Sequence, residues 1–349
     1  MKTSVLVVFN LRSDIENNIL GASVDWIIEL HKHFDEIQVY TVHKGKTPDI
    51  EGIKWIELGG GTLFRRIRGL WRSIKCALYI ITRNDQIRIF YHMNHLNAII
   101  PGVLFRCFGI RQVLWYAHKK KSVSLWIASK VVSCIVTSAT TAFPIKSNKI
   151  YEIGQPTTLE FTEKDLTKIR NRLDAVVTVG RVAKAKNLEE FIEQSSYSAK
   201  IIPRDFFIIG PITEPKYKNH LRDLAEIKKI NLVFIGEVAR NSVLEKMSHF
   251  KFYFCGTEQA VDKAVMEAGY MGCIILTSNK NVQKMVGLHK IIRPELLNCS
   301  LSNQIEWFVS QDDSYLQQVS DWCHEYIKEN YSLKVVIRRL VTVLEESHV

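Results

Sequence analysis

Ala175-Val176-Val177-Thr178-Val179-Gly180-Arg181-Val182-Ala183-Lys184-Ala185-Lys186-Asn187 is a β-branched run that stops at a glycine, turns through cations and passes into the amphipathic stretch Asn187–Ser195. A buried strand, a sharp glycine exit and a helix form the repeating unit of a parallel sheet with crossover helices. The same unit recurs in both directions along the chain. Downstream, strands are expected at Phe206–Ile209, Leu232–Ile235, Phe252–Cys255, Ile274–Thr277 and Lys290–Ile292, with helices at Tyr217–Ile230, Ser242–His249 and Asp262–Met271. Upstream, strands are expected at Ser4–Phe9, Gln38–Val42, Lys54–Leu58, Ile87–Tyr91, Gln112–Tyr116 and Cys134–Thr137, with a first helix at Gly21–His33. The pattern restarts after residue 156, behind Gly154-Gln155-Pro156-Thr157-Thr158 and ahead of the polar helical segment Thr162–Leu173. The expectation is an α/β protein of two doubly wound Rossmann-like domains facing a cleft: 1–158, 159–330, and a closing helix over 331–349.

Composition narrows the class. With 349 residues, 46% hydrophobic and 24% charged, disordered, collagen-like and disulfide-scaffold classes are excluded. The longest apolar runs are broken by Arg106 and Lys130, short of the roughly 18 residues a bilayer span needs. The opening residues read as a strand, since no small-x-small cleavage site follows them. Seven scattered cysteines without a C-x-x-C pair suggest reduced thiols in a cytosolic compartment.

The net charge of +11 is unevenly placed. Residues 51–150 carry 16 Lys/Arg against 3 Asp/Glu, whereas residues 151–349 carry 26 of each. Such a field implies an anionic partner. Thr62–Thr82 is a basic amphipathic helix, with Ile67, Leu70, Trp71, Ile74 and Leu78 at helical spacing and arginines between them. It suits an anionic membrane surface, at the cytoplasmic face of a membrane; equally, its apolar stripe suits the core side of a domain helix. Nucleic-acid binding is disfavoured, because no recognised motif accompanies the basic half.

P-loop, G-x-G-x-x-G, G-x-S-x-G, H-E-x-x-H and D-x-D motifs are all absent. No resident metal or cofactor is expected; His92 and His95, the one tight apolar pair, read as strand-end residues. Arg181 and Lys186 around the Gly180 bend, beside a helix N-terminus, suit a diphosphate, although a solvated basic loop has the same residues. Gly59-Gly60-Gly61 reads as a flexible connection, and Trp322 and Tyr326 as packing residues.

From Gly180-Arg181 and Lys186 through Ile209-Gly210, Gly236-Glu237-Val238 and Phe254-Cys255-Gly256 to Glu267 and Thr277-Ser278-Asn279, the sequence resembles the C-terminal half of the retaining glycosyltransferases of family 4, over roughly residues 175–349. Gly21-Ala22, Trp115-Tyr116-Ala117-His118 and Ile153-Gly154-Gln155-Pro156 resemble that family's N-terminal half more loosely. The resemblance implies the two-Rossmann (GT-B) architecture, with an acceptor-side first domain and a nucleotide-sugar donor domain second. It implies that Arg181 and Lys186 bind the donor diphosphate and stabilise the leaving nucleotide. It further implies that Glu267 takes the ribose hydroxyls, the backbone near Val238 reads the base, and His118 lies near the transferred sugar, with Gly180 and Gly21 at the donor. It implies a UDP- or GDP-linked sugar as donor and a glycan or lipid-linked molecule as acceptor, with retention and without metal, in surface polysaccharide or glycolipid assembly.

One stretch departs from the family's E-G-F-G-x-P-x-x-E: here it reads Gln259-Ala260-Val261-Asp262-Lys263-Ala264-Val265-Met266-Glu267. The first glutamate is Gln259, with Glu258 one place earlier, and both glycines are gone. Either Glu258 supplies the acid, or the sugar is held differently, or the protein binds nucleotide sugars without turning them over.

Overall fold

The computed structural model describes residues 3–17, 21–60, 63–83, 85–157, 167–195, 205–258 and 261–346, with the side chains of 63–66 and 240–241 excepted. The chain forms two compact units, 1–154 with 333–349, and 155–332.

The first unit starts with β1 (Ser4–Ser13), α1 (Ala22–His31), β2 (Glu36–Lys44), β3 (Ile53–Glu57) and α2 (Leu63–Ile81). It continues through β4 (Gln86–His92), α3 (Ile100–Cys107), β5 (Arg111–Trp115), α4 (Val123–Val131), β6 (Cys134–Thr137) and β7 (Ile150–Glu152). The seven strands are ordered β3-β2-β1-β4-β5-β6-β7, and all their pairings are parallel. Period-2 alternation in β1 divides the core: Val5, Val7 and Phe9 join Ala77, Phe105 and Ala128 on the side of α2, α3 and α4. Phe9 stacks between Tyr40 and Tyr91, each ring centroid 5.4 Å away.

The second unit contains β8 (Leu173–Val179), α5 (Leu188–Ser195), β9 (Asp205–Ile209), α6 (Pro215–Lys228), β10 (Asn231–Gly236), α7 (Arg240–Ser248) and β11 (Phe250–Phe254). After these come α8 (Lys263–Tyr270), β12 (Ile274–Leu276), α9 (Lys280–Met285), α10 (Leu288–Ile291), α11 (Pro294–Asn298), α12 (Leu301–Val309) and α13 (Asp313–Tyr331). The sheet order β10-β9-β8-β11-β12 is again parallel. Phe191, Phe206 and Phe254 pack with centroids 4.5 to 6.0 Å apart, filling the space beneath α5.

The final helix, α14 (Leu333–Glu345), returns to the first unit. Its buried stripe Val336, Ile337, Leu340 and Leu344 packs near α1, β4 and β5. Arg111 and Arg88 donate to the carbonyls of Val343 (2.7 Å) and Leu344 (2.9 Å) at its end, where helix carbonyls lack internal partners.

Two expected elements are corrected. Lys290–Ile292 is not a strand: Gly287, at φ +80, opens the short helix α10, and Leu288 and Ile292 are buried four residues apart, a helical spacing. The segment Thr162–Leu173 lies outside the described residues up to 166. Beyond it comes a 3₁₀ turn at Ile169–Asn171, and Leu173 already begins β8. Strand β7 was not expected, being only three residues long at the sheet edge.

Candidate functional site

In the second sheet the chain winds outward through β8, β9 and β10, then returns to lay β11 and β12 on the other side of β8. The switch point between β8 and β11 is where an open parallel sheet leaves a crevice at the carboxyl ends of its strands. The Gly180 loop leaves β8 there, and the Gly256–Glu258 loop leaves β11.

The close backbone approach at this edge needs glycines. Gly180 has φ +146, in a region closed to most side chains, and its amide donates to the Ile209 carbonyl at 2.9 Å. A Cβ on Gly210 would collide with the Gly180 carbonyl, and one on Gly180 would lie 2.8 Å from Lys186 Cε. Lys186 therefore runs across the face of Gly180. Its ammonium donates to Asp262 Oδ2 at 2.5 Å. Arg181, next to Gly180, is exposed and has no ion-pair or hydrogen-bond partner among the described residues.

The neighbouring loop is pinned from two sides. Gly256 packs against the carbonyls of Lys186 and Asn187. Thr277 Oγ1 donates to the Cys255 carbonyl at 2.7 Å and Asn279 Nδ2 to the Thr257 carbonyl at 2.6 Å. Burial pushes the Cys255 thiol up to about 11, with the Asp262 carboxylate adding to the rise. Glu258 is exposed on this loop, and Gln259 lies outside the described residues.

Glu267 sits in the middle of α8. It is buried, and Lys263 one turn earlier approaches its Oε1 at 3.1 Å, an ion pair without hydrogen-bond geometry. Val238 is half-buried, two residues past Gly236 at the carboxyl end of β10.

The amino end of α5, the helix N-terminus beside Arg181 and Lys186, is partly engaged within the chain. Leu188 N–H donates to the Tyr217 hydroxyl at 2.9 Å, which itself donates to Glu189. Ser278 Oγ donates to Glu190 at 2.9 Å, and burial, with the Glu258 charge nearby, raises the Glu190 pKa. This end of the helix already carries two carboxylates, so anion binding here rests on the side-chain cations.

In the first unit the switch point falls between β1 and β4. A cavity of about 520 Å³ opens beside it, lined by Leu11, His43, Leu58, Gly69, Asn94 and Ile100 among others. His118 is exposed three residues beyond β5, and its Nδ1 accepts from Lys120 N–H at 3.0 Å. That contact leaves Nε2 as the donor of the neutral ring. Gly21 caps α1 at an ordinary helical φ of −57; it is glycine because a Cβ would lie 2.6 Å from the Asn17 carbonyl. His92 packs against Trp26, and His95 Nε2 pairs with Ser124 Oγ at 3.1 Å. No group of three His, Cys, Asp or Glu able to hold a metal occurs among the described residues.

Sequence reasoning singled out Gly180, Lys186 and Glu267 but not Asp262 and Lys263, which pair with Lys186 and Glu267. The signal was present: two charged residues stand in a stretch where a family pattern has glycine and a variable position.

No family model and no curated protein matches the sequence. Solved structures do. HepE from Anabaena, in complex with UDP and glucose, is similar at 11% identity over 99% of this chain and 100% of that one, with a TM-score of 0.67. A glycosyltransferase from Rickettsia africae gives 14% identity, 99% and 100% coverage and a TM-score of 0.68. The lipopolysaccharide outer core galactosyltransferase WaaB gives 10%, 97% and 98%, and 0.65. At these identities the likeness establishes the fold, and that fold is the two-Rossmann GT-B fold of glycosyltransferases.

Proposed function

We propose that the protein is a glycosyltransferase that moves a hexosyl group from a UDP- or GDP-linked donor to a glycan or lipid-linked acceptor. The observation that carries this reading is Lys186 laid across Gly180, with the exposed Arg181, without a partner among the described residues, beside it at the switch point of the second sheet. Two cations there neutralise the charge that builds on the departing diphosphate as the anomeric C–O bond breaks. In this reading Glu267 accepts from ribose hydroxyls, and His118 Nε2 donates to a sugar hydroxyl. The cavity beside Leu11 and Asn94 is the acceptor side. HepE was solved with UDP and glucose, which supports a nucleotide-sugar donor of the same class.

Retention of anomeric configuration, metal independence and a place in surface polysaccharide or glycolipid assembly follow from the resemblance to family 4. In such a transfer the donor phosphate accepts the proton from the attacking hydroxyl, so no carboxylate base is required in the first unit.

A second reading, a nucleotide-sugar-binding protein without turnover, is favoured by one feature. Lys186 and Glu267 are each already paired within the chain, with Asp262 and Lys263.

A panel of UDP- and GDP-sugars in a thermal-unfolding assay tests the donor site. A rise in melting temperature that disappears in Arg181→Ala is expected; no rise with any nucleotide, or one that Arg181→Ala leaves intact, refutes it. Sugar transfer to an acceptor, against binding alone, separates the two readings.

A further inference from the structure

Most of the large apolar residues described on α2 do not face the core. Its buried side is built mostly from small residues, Gly69, Ser73, Cys76 and Ala77, with Ile80. A Cβ on Gly69 would stand 3.0 Å from the Gly59 carbonyl, so this side lies close against the chain beneath it. Ile67, Leu70, Trp71, Leu78 and Tyr79 are left outside, Trp71 with 61% exposure. Of the two roles open to this stripe in the sequence, core or surface, the structure gives the core to the small residues.

Helices α3 and α4 repeat the arrangement. On α3, Phe105 is turned inward while Ile100 and Val103 are exposed, as is Phe108 just past the helix end. On α4, Leu125 and Ala128 are buried, and Val123, Trp126, Ile127 and Lys130 follow the i, i+3, i+4, i+7 spacing of one outward stripe. Val123 is 75% exposed and Trp126 53%.

The three helices are neighbours, α2 against α3 and α3 against α4, and all feed the same core on one side of the sheet. Their outer sides therefore lie away from the same sheet face. Isolated exposed apolar residues are ordinary, whereas aligned stripes on three adjacent helices mark an interaction surface. Exposed cations are interleaved with them: Arg68, Arg72 and Lys75 on α2, Arg106 on α3, Lys119-Lys120-Lys121 before α4, and Lys130 on it. From residue 58 to residue 151 the one carboxylate in the sequence is Asp85, which is bound to Arg83 at 2.5 Å.

We propose that the outer face of α2, α3 and α4 is a membrane-docking surface. Trp71, Trp126 and the aliphatic side chains enter the headgroup region of an anionic phospholipid bilayer, and the arginines and lysines meet the lipid phosphates. Charge selects this occupant over a second copy of the chain, which would set cation against cation with almost no carboxylate to pair. The mode is lying on the bilayer, since no helix among the described residues is long and apolar enough to cross one. The surface belongs wholly to the first unit and stands or falls independently of the donor site in the second.

The test is co-sedimentation of the full chain with phosphatidylcholine vesicles and with phosphatidylcholine–phosphatidylglycerol vesicles in a two-to-one ratio. Wild type is expected to sediment with the anionic vesicles and not with the neutral ones. Binding is expected to weaken about tenfold or more in Trp71→Ser/Trp126→Ser and in Val123→Asp, whose exposed positions leave the melting temperature unchanged. Should a variant melt early, the triple change of Lys119, Lys120 and Lys121, all exposed, to Ala replaces it and must also lower anionic binding. No binding to either vesicle, equal binding to both, or binding that none of these variants weakens overturns the proposal. So does a lipid-free dimer that Trp71→Ser/Trp126→Ser dissolves, which assigns the face to self-association.

Discussion

The ammonium of Lys186 lies 2.5 Å from a carboxylate oxygen of Asp262, across the bend at Gly180. A diphosphate that takes up Lys186 competes with, and is repelled by, this internal anion. In Asp262→Asn the competing charge is gone. Both side chains are partly exposed, so the gain is that of a surface pair, about 1 kcal/mol, or roughly fivefold tighter binding of UDP or GDP. Titration calorimetry on wild type and variant checks this. Weaker binding in the variant shows instead that Asp262 holds Lys186 in its working position.

Gly180→Ala acts on the same cation by sterics. The substitution puts a side chain at φ +146 and a methyl 2.8 Å from Lys186 Cε, so the lysine must leave the bend. Backbone strain of this kind costs about 1–3 kcal/mol. The expected outcome is a lower melting temperature together with loss of stabilisation by nucleotide. A variant that still gains full stabilisation shows that Lys186 does not contact the ligand.

The position of His92 against Trp26 and Phe90 has a consequence for acid stability. Burial pulls its pKa from the usual 6.5 down to about 4, because the packed ring resists protonation. Below pH 6.5 the unfolded chain takes up a proton that the folded one refuses. The contribution is therefore complete above about pH 6.5 and is lost as pH falls toward 4. Across that window the denaturant midpoint of wild type should fall relative to that of His92→Phe on acidification. A constant difference between them removes His92 as the cause.

Truncation after Ser332 tests the last helix. It deletes the Val343 and Leu344 carbonyls that receive Arg111 and Arg88, and uncovers the side of β4 and β5 that α14 packs against. Loss of cooperative melting in the first unit is expected, with the second unit's transition retained. A truncated chain with both transitions intact contradicts that dependence.

Strands such as Cys134–Thr137 and Phe206–Ile209 were legible because a fully buried parallel strand is a short β-branched or aromatic run with few other interpretations. Lys290–Ile292 misled for the same reason: three residues are too few to separate a strand from one turn of helix. On α2 the spacing gave the helix and its stripe but not the direction of the stripe. That depended on whether small residues such as Gly69, Ser73 and Ala77 could seat against the sheet, a matter of packing between distant segments. Around the Gly180 bend single residues were readable from the strand-glycine-cation pattern, whereas the pairings of Lys186 with Asp262 and Lys263 with Glu267 were set by how α8 is placed beside the Gly180 loop.

Because the chain leaves the first unit at Gly154 and rejoins it only at Leu333, the two halves are unequal in the order of biosynthesis. Everything from Gln155 to Ser332 can emerge from the ribosome and fold while the earlier-made seven-stranded sheet still waits for its last helix. The amino-terminal half is thus begun first and completed last, its α1, β4 and β5 side left uncovered until α14 arrives.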